Sequence, residues 1–337
     1  MRICIFGAGA IGSMYGGELA RAGHQVTLIT RGAHLAAIRG GGLRLRIADE
    51  ERHTHPGCTD DPAEAGEQDL VIFTLKGHQV PGAAAGVAPL LGPNTTVVAA
   101  QNGIPWWYFH HLGGTYVGHA LKSVDPRRKA WDGIGPGRVI GGVINLSCEV
   151  VEPGVVRHVG GSRALTLGEP DGSQSARLAD IARAFADTDI DAPPTDDIRH
   201  ALWAKLISNL AISQICVLTR STLGEVNNDP GCFAVAVKLM REAQAVAGAV
   251  GVDLAAAVAT RITGGPISLQ HKPSTLQDLE CGRKLEIDPM VGAVAEIGRL
   301  AGVPTPYVDA MYAMLRRLAE KTGCYFDNPA FSLDYST

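Results

Sequence analysis

The sequence predicts an α/β first domain followed by an all-α second one. Three observations predict it. A short apolar run, Ile3 to Phe6, breaks into Gly7-x-Gly9-x-x-Gly12 and then a helix-like segment. Apolar, strand-like runs alternate with helical stretches to about residue 190. Past a Pro- and Asp-rich stretch at 191–197 the pattern turns helical nearly to the end.

The first run reads as a buried parallel strand. Gly7 permits the tight turn, Gly9 lets the backbone approach a pyrophosphate, and Gly12 lets the helix pack closely on the strand. Ala10 and Ile11 belong to the same turn, and the helix N-terminus faces the anion. A second strand, Gln25 to Thr30, follows at βαβ distance. A glycine-rich structural turn would explain one glycine, not three in register. The reading is a Rossmann-type dinucleotide-binding domain.

The end of the second strand bears on which dinucleotide is bound. An NAD-type site wants an acid about 20 residues past the glycines, on the ribose 2′-hydroxyl. No Asp or Glu stands between Glu18 and Asp49, and Arg31 follows the strand. An arginine there offers planar, bidentate donors to a 2′-phosphate. The expected cofactor is therefore NADPH/NADP+. Arg31 as a plain solvated loop charge is the alternative, and the missing acid counts against it.

Further strands are expected at Asp69–Thr74, Thr95–Ala99, Tyr116–Leu121 and Val139–Leu146, with shorter ones at Val155–Val159 and Ala164–Leu167. Residues 191–197 read as a linker ending in an N-cap. The domains are then 1–192, binding NADP(H), and 193–337, helical and holding substrate. The substrate is expected in the cleft between them. Asp288-Pro289 reads as a helix start with Asp as N-cap, and Gly302 with Pro304 as a helix stop. The tail from Gly323 has no period.

Composition narrows the function classes. The 337 residues exceed one ordinary core. A net charge of −4, with only the short basic run Arg127-Arg128-Lys129, leaves no nucleic-acid footprint. No apolar stretch reaches the ~18 residues that would span a bilayer. The first strand already occupies the N-terminus, so no signal peptide is expected. Seven dispersed cysteines without a CxxC pair suggest reduced thiols and a cytoplasmic location. No metal site is expected; His53, His55, His110 and His111 read as loop histidines.

Three places could carry chemistry. The segment 201–213 is apolar nearly all round, so it should be buried, yet Lys205, Asn209 and Ser213 recur every four residues on one face. A buried lysine needs a cleft, a ligand or a carboxylate. A narrow solvent-facing stripe is the bland alternative, slightly spoiled by Ile212. Lys76 and Asn102 stand just past strand ends, placed to bond the nicotinamide ribose or carboxamide, although Asn102-Gly103 alone would be an ordinary turn. Ser274 and Asp278 follow Pro273, and Glu286 precedes Asp288, where it could face Lys205 or be a surface acid.

Gly7-x-Gly9-x-x-Gly12, Leu75-Lys76, Gln101-Asn102-Gly103, Lys205-x-x-x-Asn209, Ser274-x-x-x-Asp278 and Glu286-Ile-Asp288 stand in the order and spacing of the ketopantoate reductases (2-dehydropantoate 2-reductases). The chain resembles that family from residue 1 to about 320. The resemblance implies reduction of 2-ketopantoate to (R)-pantoate by NADPH in pantothenate biosynthesis. It makes Lys205 the general acid and Glu286 its supporting acid. It makes Asn209 and Ser274 substrate contacts, Lys76 and Asn102 holders of the nicotinamide end, and Arg31 the 2′-phosphate arginine.

The chain also departs from the family pattern. Ser213 and His271 stand where typical members carry asparagines that bear on the substrate's distal end and hydroxyl. Trp106 and Trp107 follow the cofactor loop. A bulkier or aromatic 2-oxo acid is therefore an alternative substrate. A non-catalytic NADP(H)-binding regulator and a 3-hydroxy acid dehydrogenase are the competing classes; the first would need no paired Lys205 and Glu286. The expected partner is a small-molecule 2-oxo acid, with no nucleic acid and no membrane, and a homodimer is left open.

Overall fold

The structure, a computed structural model, describes residues 1–264 and 271–334. The chain divides into two compact units. The first comprises Met1–Gln101, Trp107–His119 and Arg128–Ile198, and the second Asn102–Trp106, Ala120–Arg127 and Arg199–Thr337.

The first unit is built on a seven-stranded sheet. Its strands are β1 (Arg2–Phe6), β2 (Gln25–Ile29), β5 (Gly57–Thr59), β6 (Gln68–Phe73), β7 (Leu91–Ala99), β8 (Val139–Asn145) and β11 (Ala164–Gly168), in the order β11-β8-β7-β6-β1-β2-β5. All neighbours are parallel except β11 against β8. The central strands read as unbroken apolar runs, as strands covered on both faces must. A second sheet, β4-β3-β10-β9, is made of β3 (Leu43–Ile47), β4 (Glu50–Thr54), β9 (Cys148–Glu152) and β10 (Val155–His158). Helix α1 (Ala10–Arg21) packs against both sheets, and its small residues allow it. A Cβ on Gly16 would fall 2.4 Å from Leu28, and one on Gly17 would fall 2.7 Å from Leu45. On the same helix the buried Glu18 is paired with Arg52 at 3.1 Å, joining α1 to β4.

Residues 116–121 form no strand: the short 3-10 turn Gly114–Tyr116 takes in the first of them, and Gly118 at φ +75° interrupts the apolar pattern. The stretch 191–197 is more than a linker. Leu165 and Leu167 donate backbone N–H bonds to Asp191 and Pro193 at 2.8 and 3.0 Å, and Thr195 donates back to Leu167 at 2.7 Å, so it lies along the free edge of β11. Trp107 belongs to the core, packed where a Cβ on Gly141 of β8 would meet its ring at 2.7 Å.

The second unit is helical. Its opening helix is Ile198–Ser208, continued through a π-turn, Asn209–Ser213, into Gln214–Thr219. The whole run of 22 residues is long and apolar enough to cross a membrane, contrary to the length estimated from the sequence, but most of its surface is buried inside the protein. The long helix Pro230–Ala249 packs against it, and Ala293–Ala301 and Pro306–Lys321 pack on that helix in turn. Gly302, at φ +69°, ends the helix Ala293–Ala301 as the sequence suggests. Asp288 is not an N-cap. It is the first residue of a second π-turn, Asp288–Gly292, already inside the helix. All seven cysteines are free thiols.

Candidate active site

In the first unit the sequence from Phe6 to Gly12 makes a turn defined by absent side chains. Gly7 sits at φ +99°, and a Cβ there would lie 2.6 Å from Leu75 Cδ2 and 3.0 Å from the Leu75 backbone nitrogen. Its carbonyl accepts a hydrogen bond from Thr74 Oγ1 at 2.8 Å, which joins the carboxyl ends of β1 and β6. Gly12 faces the strand, where a Cβ would lie 2.4 Å from Thr74 Oγ1 and 2.8 Å from Ile5. Gly9 is exposed and has nothing within 4 Å of such an atom. No side chain caps the N-terminus of α1. Ala10 and Ile11, half-buried, form its first turn.

Arg31 is exposed, two residues past β2, and is the N-cap residue of α2 (Gly32–Gly41). Lys76, half-buried, lies just past the carboxyl end of β6, and its backbone N–H donates to Gln79 Oε1 at 3.2 Å. Gln101 donates from Nε2 to the Phe73 carbonyl at 2.8 Å, fixing the start of the next loop.

That loop delivers Asn102 to the second unit. Lys205 Nζ donates to Asn102 Oδ1 at 2.7 Å. Burial pushes the Lys205 pKa down to about 8, while the charge of Glu286 acts to raise it. Glu286 is itself buried. The sequence-predicted Lys205, Asn102 and Glu286 thus form one electrostatic cluster, and the solvent-stripe alternative is excluded. Asn209, half-buried, opens the π-turn, and its carbonyl accepts Gln214 Nε2 at 2.9 Å. Ser213 closes the turn and is buried. The even spacing of four therefore does not describe this face, because a π-turn inserts an extra residue.

Ser274 and His271 are exposed at the start of the helix Ser274–Glu280, and the His271 carbonyl accepts the Leu223 N–H at 2.9 Å. Asp278, buried, pairs with Arg283 Nε at 2.7 Å. Sequence reasoning missed the surroundings of Glu286. Asp288 accepts hydrogen bonds from Tyr312 Oη at 3.0 Å and Tyr325 Oη at 3.2 Å. The Pro289 carbonyl accepts the Ile104 N–H at 2.9 Å. No periodicity or motif marks either tyrosine.

The ketopantoate reductase PanE/ApbA family matches residues 3–172, and its C-terminal counterpart matches residues 197–319. The chain belongs to the ketopantoate reductase family. A 2-dehydropantoate 2-reductase from Mesorhizobium japonicum is 46% identical over 96% of this chain and 100% of its own. The crystal structure of a candidate ketopantoate reductase from Ralstonia solanacearum MolK2 superposes with a TM-score of 0.89 at 39% identity, covering 96% of this chain and 99% of that one. A PanE/ApbA family ketopantoate reductase from Ralstonia eutropha JMP134 gives a TM-score of 0.79 at 31% identity over 96% of this chain and 100% of that one. The Rossmann-type fold with a helical C-terminal region is that of the family, and the chain is an NADP-dependent oxidoreductase acting on a CH–OH group.

Proposed function

We propose that this enzyme reduces 2-dehydropantoate (ketopantoate) to (R)-pantoate with NADPH, with Lys205 as general acid, in the cytoplasmic synthesis of pantothenate. In this reading 1–192 binds NADP(H) and 193–337 holds the substrate. The observation that carries it is the Lys205 ammonium, partly buried, bonded to Asn102 and attended by Glu286. A regulator that only bound NADP(H) would have no use for a desolvated lysine with a buried carboxylate beside it.

The residues of the glycine turn suit the cofactor. The positive φ of Gly7 and the open approach at Gly9 suit a pyrophosphate against the N-terminus of α1. Arg31 would hold the 2′-phosphate, and Lys76 and Asn102 the nicotinamide end. When bound, the reduced nicotinamide supplies a hydride to the carbonyl carbon. Lys205 donates a hydrogen bond to the carbonyl oxygen as negative charge develops there and gives up its proton, leaving a neutral amine and an alcohol. A donor whose pKa lies near 8 is matched to that task near neutral pH. Glu286 keeps the ammonium charged until the proton is needed. Asn209, Ser213, His271 and Ser274 contact the substrate, Ser274 near its carboxylate. A bulkier aromatic substrate loses one of its supports, because Trp107 is part of the sheet core.

The test is steady oxidation of NADPH on addition of ketopantoate, with (R)-pantoate identified as product. Turnover of other 2-oxo acids with no turnover of ketopantoate would overturn the substrate, and no turnover of any 2-oxo acid would overturn the reaction.

A further inference from the structure

The chain segment that carries Glu286 is held from two sides within the second unit. On one side the tail beyond the helix Pro306–Lys321 grips it. The Leu285 N–H donates to the Cys324 carbonyl at 2.9 Å, and Lys284 Nζ donates to the Gly323 and Tyr325 carbonyls, each at 2.9 Å. Tyr325 Oη bonds both oxygens of Asp288 at 3.2 Å, and Tyr312 Oη bonds one of them at 3.0 Å. On the other side the loop bearing Asn102 grips it. Ile104 N–H donates to the Pro289 carbonyl, and Gly103, at φ +82°, lies so close that a Cβ would be 2.4 Å from that oxygen. A continuous path thus runs from the tail through Asp288 and Pro289 to the loop of Asn102, and so to Lys205.

We infer that Asp288, clasped by Tyr325 and Tyr312, is a positioning residue that sets Glu286 and Asn102 around Lys205, and that the irregular tail acts as the strap of this device. Asp288 is buried among groups that explain its role. The helix Pro306–Lys321 presents Tyr312 and Arg316 to it, and the tail presents Tyr325 and Asn328. Arg316 in turn stacks its guanidinium 5.2 Å from the centre of the Tyr325 ring. Each of these groups restrains the first turn of the π-helical segment two residues past Glu286. A π-turn interrupts the regular i→i+4 hydrogen-bond ladder, and the side-chain clasp adds restraint at that point. Displacements on the order of 1 Å at a catalytic group are enough to cost ~10²-fold in rate.

This inference rests on Lys205 being the general acid, and the experiment separates the two. Tyr325→Phe removes one hydroxyl from a half-buried ring and leaves the fold intact; Asp288→Asn keeps the shape of the clasp and removes its charge. For both, kcat with ketopantoate is expected to fall between about fivefold and ~10²-fold, with the dissociation constant for NADPH within about twofold of the parent. A less well placed Glu286 raises the Lys205 pKa less, so the alkaline limb of the kcat profile moves to lower pH. Near-normal kcat, or a fall in melting temperature with an unmoved alkaline limb, would show the tail to be structural only and overturn the inference. Lys205→Ala run alongside judges the other reading: if it turns over normally, the assignment of Lys205 fails, whatever Tyr325→Phe does.

Discussion

The glycine turn of the first unit and the lysine cluster of the second are built in opposite ways. The turn depends on what is missing: within six consecutive residues Gly7 and Gly12 let loop, strand and helix close on one another, and Gly9 leaves an open approach. The cluster depends on what is gathered: a lysine, an amide 103 residues away and a carboxylate from a third segment. A device made within one turn tolerates little change in residue type. A device made from distant segments is only as good as the packing that delivers them: here the helix Ile198–Ser208, the loop after β7 and the segment just before the π-turn Asp288–Gly292.

The largest effect should come from the gathered half. Lys205→Ala is expected to lower kcat by ~10²-fold or more while leaving NADPH binding nearly intact. The parent enzyme should lose reducing activity as the pH rises through about 8, where the ammonium is deprotonated. In Glu286→Gln the carboxylate that raises this pKa is gone, so the loss should begin at lower pH. A pH profile of kcat for parent and variant checks both. A rate unaffected by Lys205→Ala would break the comparison, since the cluster would then have no chemical task.

Arg31 comes next and belongs to neither kind, being a single exposed side chain beyond β2. Arg31→Ala should raise the KM for NADPH by roughly 10- to 10²-fold, the worth of a hydrogen bond to a charged group, and hardly touch that for NADH. Equal losses for the two cofactors would show that Arg31 does not read the phosphate.

Two glycines of the same turn then sharpen the contrast. Gly12→Ala forces a methyl group to 2.4 Å from Thr74 Oγ1 and 2.8 Å from Ile5. It should cost about 1–3 kcal/mol of stability, as overpacking does. Gly9→Ala meets no protein atom within 4 Å. Its unfolding free energy should stay within about 0.5 kcal/mol of the parent, while its NADPH affinity falls. Denaturant unfolding with a parallel cofactor titration measures both, and loss of stability in Gly9→Ala would mean that the approach is closed by the protein itself.

What the sequence made legible follows the same division. The strand, turn and helix from Ile3 to Gly12 were readable because the contacts that shape them are local or fall on the neighbouring strands β2 and β6 and the residues just past β6. Lys205, Asn102 and Glu286 were readable as residue types but not as a geometry. The π-turns at 209–213 and 288–292 each insert one residue without disturbing the apolar pattern, so Asp288-Pro289 resembled an ordinary helix start and Ser213 an ordinary i+4 neighbour. Of the second sheet only β10 was expected, and β3 escaped notice although Leu43-Arg-Leu-Arg-Ile47 alternates as a half-buried strand does. The clasp of Asp288 by Tyr312 and Tyr325 left no sequence signal at all, because a tyrosine that bonds a buried carboxylate looks like any core aromatic.

The smallest effect concerns the far end of the substrate. In the proposed function Ser213 and His271 stand at the substrate's far end, where the family resemblance implies two amides near its hydroxyl. A site built to bond a hydroxyl rejects an analogue without it by as much as ~10⁴–10⁵. Ser213 is buried at the end of a π-turn and has less reach than an asparagine, and His271 is exposed, with its own backbone carbonyl accepting the Leu223 N–H. Neither arrangement holds a donor and an acceptor at fixed points as a buried amide would. The ratio of kcat/KM for ketopantoate over 2-ketoisovalerate should therefore stay below about 10³. Restoring the amides in the double variant Ser213→Asn, His271→Asn should raise that ratio by up to about tenfold, the worth of one modest hydrogen bond. A parent ratio above 10³ would show that other groups already read the hydroxyl, and would make the second unit as exacting toward its ligand as the glycine turn is toward its own backbone.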